Sequence, residues 1–283
     1  MNNNMEKKRI FLVLNIITFF SLLWSTKNEI PKTRHLQGES IVEYSIKING
    51  IGSQYIFSYK FYLYGGNSPQ LPDRVIINNE ETSVSTEGKC NVNNEVNNVT
   101  LIWSNPSKPV TFLNMFRDIN NIIEINFTRI VSCEAFQTAQ MFRGLTSLKY
   151  ANVSILFGEN TNVEQSYELF FGCTSLLSVD MSGALNSKIK NFNEMFCDCK
   201  SLVSLDLSDF DTSNAKQMRS MFYNCNSLTS INLNFKTENV QVMESMFYGC
   251  SSLKSLDLSS FQTDSLQSMK NMFYNCYSLE NLI

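Results

Sequence analysis

Leu202-Val-Ser-Leu-Asp-Leu-Ser-Asp-Phe-Asp-Thr212, followed by Met221-Phe-Tyr-Asn-Cys-Asn-Ser-Leu228, is the stretch on which the fold turns. Its parts recur through the second two thirds of the chain. A Met-Phe or Leu-Phe pair returns at Phe116, Phe142, Phe170, Phe196, Phe222, Phe247 and Phe273, in steps of 26, 28, 26, 26, 25 and 26 residues. Three residues after each Phe stands Ile119, Leu145, Cys173, Cys199, Cys225, Cys250 or Cys276. Six after it stands Ile122, Leu148, Leu176, Leu202, Leu228, Leu253 or Leu279. Nine and eleven after it stand pairs such as Val179/Met181, Leu205/Leu207, Ile231/Leu233 and Leu256/Leu258.

The second half of each unit reads L-x-x-L-x-L. Alternation at the last two positions puts both side chains on one face of a short strand. The first half has another period. Val240, Met243, Phe247 and Cys250 are spaced 3, 4 and 3, the stripe expected of one helix face, and Leu266, Met269, Phe273 and Cys276 repeat it. Each unit is therefore expected to be one short helix and one strand, each with an apolar inner face. Neither half can bury that face alone, so neighbouring units must stack into a solenoid.

These residues carry a family resemblance. Residues 99–283 resemble the BspA-type leucine-rich-repeat surface proteins of bacteria and protists. The match rests on Met221-Phe-Tyr-Asn-Cys-Asn-Ser-Leu, on Leu205-Asp-Leu-Ser-Asp-Phe-Asp-Thr and on the copies around Met246, Leu256 and Met272. The resemblance implies a secreted or cell-surface protein used in adhesion or partner recognition, and names no ligand. The copies at Phe116 and Phe142 depart from the pattern by lacking the Cys, and the unit after Phe142 carries two extra residues.

The expected fold class is therefore α/β, a leucine-rich-repeat solenoid of about 26-residue repeats with a β-rich N-terminal cap. The solenoid is assigned to residues 98–283. Val99 and Leu101 sit at the offsets of a solenoid strand before Phe116 and are expected to form the first one. The last repeat reaches Ile283 with no polar end-cap in sight, so the solenoid is expected to continue beyond it. The cap is assigned to residues 38–97. There Val42, Tyr44, Ile46 and Ile48 alternate with polar residues, as do Tyr55, Phe57, Tyr59, Phe61 and Leu63, and Val75–Ile77 is a third strand. A separate carbohydrate-binding sandwich is the alternative for this region.

Residues 1–26 read as a signal peptide or uncleaved signal anchor. Lys7, Lys8 and Arg9 precede an apolar run from Ile10 to Trp24, short for a bilayer span of about 20 residues. The formal charge of the chain is −3. Without residues 1–26, which hold three basic side chains and one acid, 20 basic face 25 acidic residues. A mildly acidic chain without basic runs is not expected to bind nucleic acid. Export agrees with three glycosylation sequons, at Asn98, Asn126 and Asn152.

Eight Cys invite a disulfide or metal reading. Five share one repeat position with Ile119 and Leu145, and a position that takes Ile and Leu is a core position, where Cys behaves as a small hydrophobe. Cys90, Cys133 and Cys197 lie off that ladder, and Cys90–Cys133 is a candidate bridge. No metal and no cofactor is expected. The only histidine is His35, so nucleophilic Ser-His or Cys-His chemistry has no base in the repeats. The chain is read as a non-enzyme, with a secreted hydrolase as a distant alternative.

The candidate site is the outward strand face, taken to be the concave side. It carries Ser178, Asp180 and Ser182, then Ser204, Asp206 and Ser208, then Ser230, Asn232 and Asn234, then Ser255, Asp257 and Ser259. The expected function is recognition or adhesion, binding a protein or glycan of a cell or matrix surface through this face, with membrane contact only through an anchor. The alternative is a structural coat or spacer protein with no specific ligand.

Overall fold

A computed structural model describes residues 41–56, 72, 74–83, 89–104, 112–130, 138–158, 161, 163–184 and 188–283. The chain divides into two units, residues 1–38 and 39–283, and only the second is described. Residues 1–26, expected to be a signal peptide or signal anchor, lie outside the described residues, as does most of the Tyr55–Leu63 run. No helix among the described residues is long and apolar enough to cross a membrane.

The second unit is a β-solenoid preceded by antiparallel strands. The antiparallel set comprises β1 (Ile41–Asn49), β2 (Gly52–Tyr55), β3 (Arg74–Ile77), β4 (Glu80–Thr82), β5 (Lys89–Val92) and β6 (Val96–Ser104). The solenoid strands are β7 (Ile122–Ile130), β8 (Tyr150–Asn152), β9 (Ser178–Asp180), β10 (Ser204–Leu207), β11 (Ser230–Leu233), β12 (Ser255–Leu256) and β13 (Asn281–Leu282). A seven-stranded sheet in the order β4-β3-β6-β1-β7-β8-β9 joins the two parts. β7 pairs antiparallel with β1 on one side and parallel with β8 on the other. Val99 and Leu101 are fully buried strand residues, as their alternation requires. Their strand is not the first of the solenoid, however. β6 pairs antiparallel with β1 and β3, and β1 lies between it and β7.

Asn97 ties this antiparallel part together. It is completely buried, and its amide nitrogen donates to the carbonyls of Gly50 and Asn94. Its Oδ1 accepts from Asn78 Nδ2 at 2.9 Å and from the Asn94 N–H at 3.2 Å. A buried amide with both ends satisfied holds three turns in one arrangement.

The expected helices are absent, so the α/β assignment is corrected: the described residues contain no α-helix, only one short 3₁₀ helix, Ser154–Phe157, in the coil with two extra residues. The segments around each core Phe are successive tight turns. The second residue before each Phe and the second after it have positive φ, as at Glu194 (58°) and Asp198 (58°), or Ser220 (52°) and Asn224 (55°). Two left-handed residues four apart cannot belong to one right-handed helix. The hydrogen bonds agree. The N–H groups of Tyr223 and Cys225 reach back three residues, to Ser220 and Phe222. Those of Ser220, Phe222 and Asn224 instead donate to the Glu244, Met246 and Tyr248 carbonyls of the next coil, at 2.7–2.9 Å. The segment is thus half turn and half inter-coil ladder, and it still sends Met221, Phe222 and Cys225 inward.

This ladder runs through every junction from Phe116 N–H to Met141 O up to Phe247 N–H to Met272 O. Beneath it the Phe rings from Phe116 to Phe273 stack with centroids 5.1–5.9 Å apart. Such pairs contribute about 0.5–1.5 kcal/mol each beyond area burial. The repeated Cys follow the same logic. Cys173, Cys199, Cys225 and Cys250 are buried free thiols, each donating to a Phe carbonyl one coil earlier at 3.1–3.2 Å. Thr212 and Thr237 supply another junction: each hydroxyl donates to a carbonyl of the next coil and accepts an N–H from the same residue.

Candidate functional site

The strand half of each coil builds the candidate face. Leu205 and Leu207 point inward at 4% and 2% exposure, so Ser204 and Asp206 must point out, and both are exposed. The same alternation brings out Ser178 and Asp180 on β9, Ser230 and Asn232 on β11, and Ser255 on β12. Ser182, Ser208, Asn234, Asp257 and Ser259 follow in the turns after the strands. All twelve expected residues are at least partly exposed.

Register stacks them in columns. Ser204 lies beside Ser230 and Asp206 beside Asn232 in the parallel β10–β11 pair. Ser255 lies beside Asn281 in the β12–β13 pair. Paired strands do not form one continuous sheet here: β9, β10–β11 and β12–β13 fall in separate sheets. The unbroken ladder is on the turn side, not on the candidate face.

The Asp residues of the central column are not idle. Asp180 Oδ1 accepts the Ser182 N–H at 3.0 Å, Asp206 Oδ1 that of Ser208 at 3.0 Å, and Asp257 Oδ1 that of Ser259 at 2.8 Å. Each closes a turn where the strand ends. The Ser208 backbone N–H, then its hydroxyl and the Asn232 amide, hold the Asp206 carboxyl below the usual carboxylate range. Hydrogen bonds from Ser259 do the same for Asp257. One oxygen of each carboxylate is thus committed to the fold. Ser178, Ser204 and Ser255 stand two residues before these Asp, and Ser230 two before Asn232, apart from the turn-closing bonds.

The face extends further than the Ser-x-Asp-x-Ser motif shows. Asn126 pairs with Asn152 and Asn152 with Asp180, so two of the three sequons lie in the Asp column. Asn152 Oδ1 accepts from the Ser154 N–H and hydroxyl at 3.2 and 2.9 Å, the same turn-closing geometry as Asp180 and Ser182. Asn152-Val-Ser is therefore the structural counterpart of Asp180-Met-Ser, a likeness hidden by its reading as a sequon. Asn98, the third sequon, is exposed on β6 beside Lys47. Lys47 forms an ion pair with Glu124 at 2.5 Å, carrying the polar face across the β1–β7 pairing.

Two further features border the face. Tyr150, Leu177 and Val203 expose 47%, 38% and 41% of their surface where the strands of three successive coils begin. Tyr150 pairs with Ser178, the residue after Leu177, and Val203 holds the position of Leu177 one coil later. Where the strands end, Thr128, Ser154 and Ser182 line a shallow depression of about 340 Å³ together with Arg129, Gly158 and Gly183.

Among the described residues no group of three or more His, Cys, Asp or Glu side chains is placed to hold a metal ion. Cys90 is a buried free thiol on β5, raised to about 11 by burial, and Cys133 lies outside the described residues. Cys197, one position after the stacked Phe196, is also buried. Desolvation and the neighbouring Asp198 and Glu194 charges raise its thiol to about 12.

Comparison with known proteins gives one family. The profile described as "Mycoplasma protein of unknown function, DUF285" matches residues 136–254 and 190–283, which together span more than half of the chain. No curated protein and no solved structure matches. The matched residues hold the stacked Phe from Phe142 onward, the Cys ladder and the Ser-x-Asp-x-Ser strands, and on that match the chain belongs to the DUF285 family.

Proposed function

We propose that the chain is a BspA-type surface-recognition protein, exported to the cell surface or beyond, that binds a protein or glycan without catalysing a reaction. The observation that carries this reading is the repetition of small polar side chains on adjacent coils, in register and held by turn-closing hydrogen bonds. A face fixed before binding loses little conformational freedom on binding. Each Ser, Asp or Asn offers a hydrogen bond of about 0.5–1.5 kcal/mol net. Affinity then comes from several coils acting together.

The test changes the positions that do not close turns. Ser204→Arg, Ser230→Arg and Ser255→Arg, combined, should abolish attachment to the target cell or matrix surface. Circular dichroism and the thermal midpoint should stay near the parent values. A folded triple variant that attaches normally removes the strand face from the recognition role and favours a structural spacer.

A further inference from the structure

We infer that Tyr223, Tyr248 and Tyr274 form a site of oxidative cross-linking, at which a one-electron oxidant joins neighbouring phenols through a carbon–carbon bond and staples adjacent coils together.

Position is the first reason. Each of the three directly follows a stacked core Phe, so the repeat that aligns Phe222, Phe247 and Phe273 aligns the phenols as well. Their rings stack in turn, Tyr223 on Tyr248 with centroids 4.6 Å apart and Tyr248 on Tyr274 with centroids 5.0 Å apart. The backbone holds that spacing. Asn224 N–H donates to the Tyr248 carbonyl at 2.7 Å, and Gly249 N–H to the Tyr274 carbonyl at 2.8 Å. Groups held side by side react at an effective concentration far above that of separate molecules. The earlier coils place Arg117, Arg143, Phe171 and Cys197 at this position, none of them a phenol, so the site begins at Tyr223.

Access is the second reason. Tyr223 and Tyr248 are half-buried and Tyr274 is 56% exposed, so an oxidant reaches the outer edge of every ring. Among the described residues none of the three hydroxyls has a hydrogen-bond partner, so each phenolic proton can leave to water. Tyr150 and Tyr277 are 47% and 80% exposed, yet among the described residues neither stacks on another ring. Exposure alone does not make the site; the neighbour does.

The step balances. Each of two tyrosines gives up one electron and its phenolic proton. The two phenoxyl radicals couple between ring carbons ortho to the oxygens. Each of those carbons then passes its hydrogen, as a proton, to the oxygen of its own ring, and both phenols are restored. The pair loses two electrons and two protons in all, and hydrogen peroxide, acting through a haem peroxidase, takes them up as two waters. Stacked rings must turn to bring ortho carbons into contact, and a Tyr side chain has only two χ angles to adjust. A Tyr223–Tyr248 link spans the junction between the coils of β11 and β12, whose strands are not paired.

The experiment treats the full chain, dilute enough to stay monomeric, with hydrogen peroxide and a haem peroxidase. Dityrosine fluorescence should appear in the monomer band of a denaturing gel. Mass spectrometry of its peptides should find Tyr223 joined to Tyr248, or Tyr248 to Tyr274, with two hydrogens lost per link. Tyr248→Phe keeps the ring stack but breaks both pairs, and should lower the yield at least about tenfold. Tyr223→Phe combined with Tyr274→Phe should give the same loss, and takes its place if Tyr248→Phe does not fold. Tyr277→Phe should leave the yield unchanged. Absence of dityrosine from the monomer, links chiefly at Tyr150 or Tyr277, or a folded variant without these pairs that cross-links as the parent does overturns the inference.

Discussion

The Cys225 thiol donates to the carbonyl of Phe196, 3.2 Å away and one coil earlier, and that carbonyl also accepts the Cys199 N–H of its own coil at 3.2 Å. The thiol is fully enclosed, and burial raises it well above the ordinary cysteine range. A sulfur so placed presents no thiolate to a reagent.

Native alkylation followed by mass spectrometry should therefore leave Cys173, Cys199 and Cys225 unmodified until the protein is denatured. Cys276, only partly buried, should label first of the ladder. Rapid native labelling of Cys225, or a bridge from Cys225 to Cys250, would show that the ladder has another role.

The same thiols make the fold sensitive to alkali. Unfolded cysteines lose their protons near pH 8.5, while Cys199 and Cys225 keep theirs in the folded chain. Above that pH the folded state holds more protons, so stability falls as pH rises, by about 1.4 kcal/mol per pH unit for each protected thiol. Chemical denaturation between pH 9 and 10.5 should show a shallower decline for Cys199→Ala with Cys225→Ala than for the parent. Parallel slopes would mean that these thiols titrate alike in both states.

Ser220 decides between helix and turn by the sign of one substitution. In a helix interior Ser→Gly costs stability, because Gly lies below Ser in helix propensity. At φ 52° a non-glycine residue bears a left-handed strain of about 1–2 kcal/mol that glycine does not. Ser220→Gly should thus raise unfolding free energy by about 0.5–1 kcal/mol, measured by denaturant titration. A loss of stability would restore the helix.

Replacing Asn97 by Leu should cost about 2–4 kcal/mol. It removes the partner of the half-buried Gly50 carbonyl and Asn78 amide, each worth up to about 1–3 kcal/mol when left unmet, while the exposed Asn94 can turn to water. A thermal midpoint within a degree of the parent would show that the three turns are held by other means.

Much of this molecule was legible in its residues. The 26-residue step fixes which side chains meet, so the stacked Phe, the thiol core and the outward Ser and Asp columns follow from counting. The helix did not follow, because a 3-4-3 spacing is met equally by tandem turns. The distinguishing signal lies two residues after each Phe: Asp118, Gly144, Gly172, Asp198, Asn224, Gly249 and Asn275 are all residue types that tolerate positive φ. The antiparallel strands hid more. β1 meets β7 some 80 residues later in the chain, and pairing across such a distance leaves no periodic mark. At the candidate site the Ser-x-Asp-x-Ser motif was visible. The duty of each Asp in closing its own turn, and the kinship of Asn152 with Asp180, became visible only with the backbone in place.

The uneven ladder also governs how the protein bears load. Hydrogen bonds between coils point along the stacking direction, so a pull along that direction strains them in tension and opens one junction after another. The junctions between β9 and β10 and between β11 and β12 lack the strand pairing of their neighbours, and are held by the turn-side ladder and by the bonds after the strands, Asp211 N–H to Ala184 O and the Thr237–Gln262 pair. Under tension these seams gape first on the strand side, while the Phe222–Met246 type of bond acts as the hinge. A tethered molecule pulled from its far end would therefore lengthen in steps of whole coils, yielding gradually where a sheet sheared lengthwise would snap.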